Sequence, residues 1–287
     1  MSNQEPPYNQ ERFYSSYSSK EFGSSPFESQ GPIGSVGLPD RPRSGFSIVT
    51  LLIAINVVIF LIGTWWLPKV SPPESLLNYV VLRDHEGQVL VNQFGQVMFP
   101  PKNNVLYWWG ALQTTAVVVG WQWWRLFTAQ YLHASTMHIV FNMIALHFLG
   151  RPLERMWSAR RFFVVYTACG LAGNFFFTLL GSRHVIDPQQ AAVGASGSIY
   201  GLLGIVAVLF PTAEVYIYFL FPLKIRTAAI VMGVIAFMSV IERGANYGGE
   251  ACHLAGLAFG VWWALYGDEW WSSTRWALPW SRRKPPN

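Results

Sequence analysis

FSIVTLLIAINVVIFLIGTWW, residues 46–66, runs from one aromatic end to the other without a single charge. A helix needs about 20 consecutive apolar residues to cross the hydrocarbon core of a bilayer. The stretch therefore reads as a membrane span, with Trp65 and Trp66 at its far interface. The rest of the chain has the same character. Hydrophobic residues make up 52% of the 287 positions and charged residues only 12%, about half the charged share of a soluble domain. The 14 Trp and 12 Tyr suit a membrane interface. Five further apolar stretches follow: Met137 to Leu149, Phe162 to Leu180, Ala195 to Phe210, Ala228 to Ile241 and Ala251 to Tyr266. Several are short for a bilayer, which implies local thinning or flanking residues that continue the helix. Glycines at 170, 173, 201, 204, 256 and 260 are spaced to let helix backbones approach closely in lipid. The expected architecture is an all-α membrane protein, a six-transmembrane-helix bundle with a long first loop.

That loop runs from Leu67 to about Ala134. Val81 to Met98 alternates in polarity around Glu86-Gly87 and resembles a hairpin. Val105 to Tyr131 is strongly aromatic and reads as interfacial. Residues 1–45 are polar, rich in Ser, Tyr, Pro and Gln, and lack the apolar core of a signal peptide. They are expected to form a disordered cytoplasmic tail. Residues 46–267 are expected to form the membrane domain, and residues 268–287 a basic cytoplasmic tail. The net charge of +5 raises the possibility of nucleic acid, but the basic residues sit in short loops between apolar runs. Arg41 and Arg43, then Arg151, Arg155, Arg160 and Arg161, then Lys224 and Arg226, and finally Arg275, Arg282, Arg283 and Lys284 fall on one side of a six-span topology. Only Arg183 and Arg243 occupy the two short opposite loops. The positive-inside rule places both termini in the cytoplasm.

In this topology the second, fourth and sixth spans run inward from the outer face. Each carries polar residues near its start: His138 and Asn142, Ser196, and His253. All four lie a few residues below the outer surface, roughly 5–10 Å at a rise of 1.5 Å per residue. Polar side chains at membrane depth are costly and face a bundle interior or a cavity, so four at one level point to a shared polar cavity. Serine is a weak nucleophile until a neighbouring base accepts its proton, and a neutral imidazole suits that task. Acyl transfer also needs donors aimed at the developing oxyanion. His138 and Asn142, at i,i+4, share a helix face. With the Ser196 amide at a helix start, they form a candidate oxyanion site. Gly194 and Gly197 flank the nucleophile and permit close approach of a ligand backbone. Gly256 and Gly260 lie on the His253 helix face, and Tyr200, one turn below Ser196, can stack on the imidazole.

These residues resemble the motifs of the rhomboid family. Trp124-Arg125 is similar to its first-loop tryptophan-arginine motif. His138-x-x-x-Asn142, inside HASTMHIVFNM, resembles its second-helix motif. Gly194-Ala195-Ser196-Gly197 with Tyr200 resembles its GxSG nucleophile motif, and His253-x-x-Gly256-x-x-x-Gly260 its sixth-helix motif. The resemblance covers about Phe46 to Tyr266. It implies an intramembrane serine endopeptidase that cleaves transmembrane segments of other membrane proteins near the outer surface. The catalytic pair would be Ser196 and His253, with no third acidic member, and the oxyanion donors His138, Asn142 and the Ser196 amide. Glu250 is the one acidic residue near His253, at the mouth of its span. No metal and no organic cofactor is implied. The partners expected are membrane-protein substrates and the lipid bilayer, without nucleic acid, and the expected location is a bacterial cytoplasmic membrane. The stretch Val81 to Pro101 departs from the family pattern.

Other classes fit less well. A zinc protease needs a set such as HExxH, which does not occur. An α/β-hydrolase elbow needs glycine at 198, where this chain has serine. A transporter calls for an inverted repeat and broken spans, and the sequence shows no such internal symmetry. Cys252 adjoins His253, but adjacent helix positions point about 100° apart, so a Cys–His pair is not expected. His133 and His147 read as structural. The alternative kept is an inactive rhomboid-like protein that binds membrane clients.

Overall fold

The computed structural model describes residues 47–76, 88, 102–217, 221–244 and 246–273. The amino-terminal stretch, nearly all of the expected hairpin at 81–98 and the basic residues beyond 273 lie outside the described residues.

Helix α1, Ile48–Leu61, starts at Ser47, whose hydroxyl accepts a hydrogen bond from the Thr50 amide. It continues through a wider π turn, Ile62–Trp66. The first loop carries α2 (Val105–Gly110), β1 (Leu112–Gln113), α3 (Thr114–Val118), α4 (Arg125–Thr128) and a 3-10 turn at Ala129–Tyr131. Trp121, Trp123, Trp124 and Phe127 are exposed on this loop.

Helix α5, Thr136–Met156, is capped by Ser135, and α6, Ala159–Ser182, by Ser158. Then come β2 (Ala191–Ala192), α7 (Ser196–Leu209), β3 (Glu214–Ile217), β4 (Phe221–Lys224), α8 (Ile225–Ile241) and α9 (Tyr247–Ser273).

Two described helices, Ile48–Trp66 and Ala159–Ser182, have the length and apolarity to cross a membrane. A third span arises if Arg125–Tyr131 and Thr136–Met156, which meet at 92°, are one broken helix. Helices α7 and α8 are apolar but shorter.

The helices overrun the apolar stretches that mark them. Helix α5 passes Leu149 through Arg151, Pro152 and Glu154. Glu154 explains this extension. Its carboxylate accepts hydrogen bonds from the Ile48 and Val49 amides at 2.5 and 3.3 Å and from the Ser47 hydroxyl at 2.8 Å. An anion at a helix N-terminus satisfies orphan amides and the helix dipole. Arg151 donates to Ser47 Oγ and Thr50 Oγ1 at 2.8 and 2.7 Å. Charges that look like a loop in the sequence thus tie α5 to the start of α1. Helix α9 likewise continues to Ser273, into the stretch expected to be tail.

The described residues are mostly helical, with short strand pairings between the helices. Among the described residues two short antiparallel ladders occur, β1 with β2 (Leu112 opposite Ala192) and β3 with β4 (Glu214 opposite Lys224). A two-residue ladder has no periodicity to read, yet it satisfies the backbone groups of non-helical segments.

Helix α7 sits at the centre. Eleven of its residues are buried, Ser198 among them. Its closest neighbour is α9, and α6 also packs against both. A Cβ on Gly256 would run into the Gly197 carbonyl, and one on Gly260 into the Gly201 carbonyl. From the other side, a Cβ on Gly204 would lie 2.6 Å from the Leu257 carbonyl oxygen. The α7–α9 seam is therefore backbone against backbone, which is how small residues join helices without a hydrophobic driving force in lipid.

Candidate active site

The segment that leads into α7 is held by the first loop. Strand β2 pairs with β1, the Thr115 amide donates to the Pro188 carbonyl at 3.1 Å, and the Gln113 amide group donates to the Gln189 carbonyl at 2.8 Å. The Gly194 amide then donates to the Ala129 carbonyl at 2.9 Å. Gly194 has φ +131°, a backbone conformation open to glycine and little else. A Cβ there would lie 2.8 Å from both Cε1 and Nε2 of His138 and 3.5 Å from Ser196 Oγ. The imidazole of α5 and the hydroxyl of α7 thus border the same small space. Ser196 is the first residue of α7, so its N–H has no intrahelical acceptor.

The glycine seam brings α9 close enough for its histidine to reach across. His253 Nε2 stands 2.7 Å from Ser196 Oγ. The Tyr200 ring stacks on the imidazole, with centroids 4.3 Å apart and planes at 8°. The other ring nitrogen, Nδ1, is 3.0 Å from Glu250 Oε2. Asn246 Nδ2 lies 3.5 Å from the second carboxylate oxygen. The side chains of His253 and Glu250 are 14% and 21% exposed, so the pair is only partly buried.

The site residues read from the sequence fall into three groups. Ser196, His253, Tyr200, Gly194 and His138 come together. Asn142 is buried one turn along α5 from His138, and its side-chain nitrogen has no hydrogen-bond partner among the described residues. Gly197, Gly256 and Gly260 line the seam. Trp124 and Arg125 lie in the first loop and do a different job. Arg125 is fully buried and donates to Gln122 Oε1 and to the carbonyls of Ala111 and Trp108, each at 2.6 Å. Trp124 Nε1 donates to the Trp109 carbonyl at 2.9 Å. These bonds fasten α2 to α4, and none of Arg125's described hydrogen bonds reaches Ser196 or His253.

Cys252 turns away from the site. Its thiol donates to Asn174 Oδ1 at 3.3 Å. The His133 ring stands edge-on to His138, with centroids 5.1 Å apart, and His147 is exposed beside Phe148. The family resemblance implied a pair with no third acidic member and left Glu250 at the mouth of the span; its carboxylate stands within hydrogen-bond distance of the imidazole. The signal was present in the i,i+3 spacing of Glu250 and His253, which puts both on one helix face.

Comparison with known proteins identifies the family. The family description "Rhomboid domain" matches residues 120–268, half of the chain. The chain is 32% identical over 151 residues to "Rhomboid protease GluP" of Bacillus subtilis, covering 53% of this chain and 27% of that protein. It is 38% identical over 89 residues to "Putative rhomboid protease YdcA" of the same organism, covering 31% and 42%. "RHOMBOID-like protein 5" of Arabidopsis thaliana is 30% identical over 216 residues, covering 74% of this chain and 66% of that protein. The chain thus spans less than half the length of the two bacterial relatives. The motif order, the helical architecture and the domain match converge, and the chain belongs to the rhomboid family of integral membrane proteins.

Proposed function

We propose that this chain is an intramembrane serine endopeptidase that cleaves transmembrane segments near the outer membrane surface. The observation that carries the reading is the 2.7 Å contact between Ser196 Oγ and His253 Nε2, on a ring held by Tyr200. A substrate helix enters from the side, and its top unwinds toward the Ser196–His253 pair. His253 takes the Ser196 proton as the hydroxyl oxygen bonds to the scissile carbonyl carbon. The carbonyl π pair moves onto oxygen, where His138, Asn142 and the Ser196 amide donate to it, each worth roughly 3 kcal/mol in soluble analogues. The buried Asn142 nitrogen, without a partner among the described residues, supports that role, because a buried donor without an acceptor is costly unless a ligand supplies one. His253 then passes its proton to the amine as the C–N bond breaks, and water hydrolyses the acyl enzyme.

The membrane domain is taken to begin with α1, whose Val49 and Leu52 lie in the main core. Six spans are proposed, α1 and α5 to α9, with both termini cytoplasmic, in a bacterial inner membrane. The arginines at 151, 155, 160 and 161 support that orientation.

The test is cleavage of a model single-span substrate in proteoliposomes, with products read by mass. Wild type is expected to cut, and Ser196→Ala and His253→Ala to lose activity by at least about 10³-fold. Labelling by a fluorophosphonate probe should vanish in the same two variants. A folded wild type that neither cleaves nor labels would assign the chain to the inactive client-binding class. Cleavage that survives Ser196→Ala would sink the serine mechanism.

A further inference from the structure

We propose that Glu250 is a positioning residue for His253, so that the reaction runs through a Ser196–His253–Glu250 relay. The inference rests on the endopeptidase reading above and deepens it.

Both ring nitrogens of His253 are engaged, Nε2 with Ser196 Oγ at 2.7 Å and Nδ1 with Glu250 Oε2 at 3.0 Å. An ionised carboxylate can only accept. A neutral imidazole facing it therefore carries its hydrogen on Nδ1 and turns the Nε2 lone pair toward the serine hydroxyl. That is the tautomer a general base needs. The opposite tautomer would set two acceptors against each other at 3.0 Å.

The fold keeps the carboxylate in place. Glu250 lies in the first turn of α9, where unpaired amides favour an anion. Its second oxygen is approached by Asn246 at 3.5 Å. The ring is clamped against Tyr200 on α7. The titratable groups around the imidazole are thus Glu250 on α9 itself, Tyr200 on α7 and His138 on α5. Among the described residues, only Glu250 brings a negative charge.

During attack the proton leaves Ser196 Oγ for His253 Nε2 as the O–C bond forms. The ring becomes an imidazolium whose Nδ1–H points at the Glu250 carboxylate. The proton then passes from Nε2 to the leaving nitrogen as the C–N bond breaks. Glu250 stays ionised throughout, which is the role of the acidic member in soluble serine triads. Its 21% exposure makes the contribution smaller than that of a fully buried carboxylate.

The experiment compares wild type, Ser196→Ala, Glu250→Gln and Glu250→Leu in proteoliposomes, using the same single-span substrate, with kcat, KM and the thermal midpoint measured for each. Glu250→Leu is expected to lower kcat by roughly 10–100-fold, below most of the roughly 10²–10⁴-fold range of full acid–base assistance because the base itself remains, with KM within about twofold. Glu250→Gln should fall between Leu and wild type. Its amide oxygen still accepts from Nδ1–H but carries no charge. If Glu250→Leu keeps wild-type kcat while Ser196→Ala is dead, the relay is overturned and the endopeptidase reading stands. Equal loss in the Gln and Leu variants, together with a lowered thermal midpoint, would make Glu250 a structural residue and overturn the relay too. Cleavage by Ser196→Ala would overturn the underlying reading instead.

Discussion

Helices α7 and α8 are both apolar, yet the protein treats them in opposite ways. Helix α7 buries eleven of its fourteen residues. Helix α8 buries four of its seventeen, Ile225, Ala228, Ala229 and Ala236. Ile230, Val234, Ile235, Phe237 and Ile241 are more than half exposed. In an integral membrane protein such a face meets lipid, so exposure there carries no hydrophobic penalty. Helix α7 meets α9 through glycines and carbonyls, and that seam delivers the Ser196–His253 pair. Helix α8 meets α9 through a looser contact, with Gly233 facing only the end of the Leu257 side chain. The difference teaches where the site gets its precision: it is set by the backbone contact of two helices, and the apolar content of the surrounding helices contributes little to it.

The sharpest way to break this comparison is to add one methyl group to the seam. Gly260→Ala would place Cβ against the Gly201 carbonyl, which has no side-chain torsion by which to move aside. The helices must separate or slide, and a misplacement of about 1 Å costs on the order of 10²-fold in rate. Cleavage in proteoliposomes should fall by well over that factor. The thermal midpoint in detergent should drop as well, because overpacking typically costs about 1–3 kcal/mol. Wild-type turnover in Gly260→Ala would show that the seam does not position the pair.

Much of this was legible beforehand for a physical reason. A charge-free run such as residues 46–66 has few alternatives to a buried or lipid-facing helix. Polar side chains at one depth in three such runs have few alternatives to a common cavity. Glycines at 256 and 260, four apart, announce a close helix contact. Other features carry no such signal. Arg151 and Glu154 read as loop charges until the N-terminus of α1 is seen to receive them. The pairing of Leu112 with Ala192 spans two residues and has no pattern. Glu250 shares a helix face with His253 by its i,i+3 spacing, but that spacing does not say that the carboxylate reaches the ring nitrogen, 3.0 Å away in the fold. Nor does apolar composition distinguish α7 from α8, because lipid and protein interior select the same side chains.

Asn142 gives the next largest effect expected. Its nitrogen is buried and has no partner among the described residues, so removal leaves no orphaned donor behind and the fold should hold. Asn142→Ala is expected to lower kcat by about 10²-fold with little change in KM, as for loss of one oxyanion donor. An unchanged kcat would remove Asn142 from the oxyanion site. Tyr200 comes below it. Tyr200→Ala removes the parallel ring 4.3 Å from His253, and a stacked pair is worth about 0.5–1.5 kcal/mol. Turnover should fall by up to about 10-fold, and Tyr200→Phe should recover most of it, since the stack needs the ring and not the hydroxyl. A Phe variant as slow as Ala would show that the hydroxyl, not the stack, holds the imidazole.

The smallest effect tests the other half of the comparison. Gly233→Ala on α8 adds the same methyl group as Gly260→Ala on α9. Here the new Cβ would lie 3.2 Å from Leu257 Cδ2, a side-chain end that can yield by a few tenths of an ångström. Alanine also favours a helix over glycine by about 0.5–1 kcal/mol, which offsets the crowding. Stability should therefore stay within about 0.5 kcal/mol of wild type, read as the thermal midpoint in detergent, and turnover should be unchanged. A loss in Gly233→Ala that matched the loss in Gly260→Ala would mean that α8 is packed as tightly as the seam. The site's geometry would then depend on all three helices rather than on two.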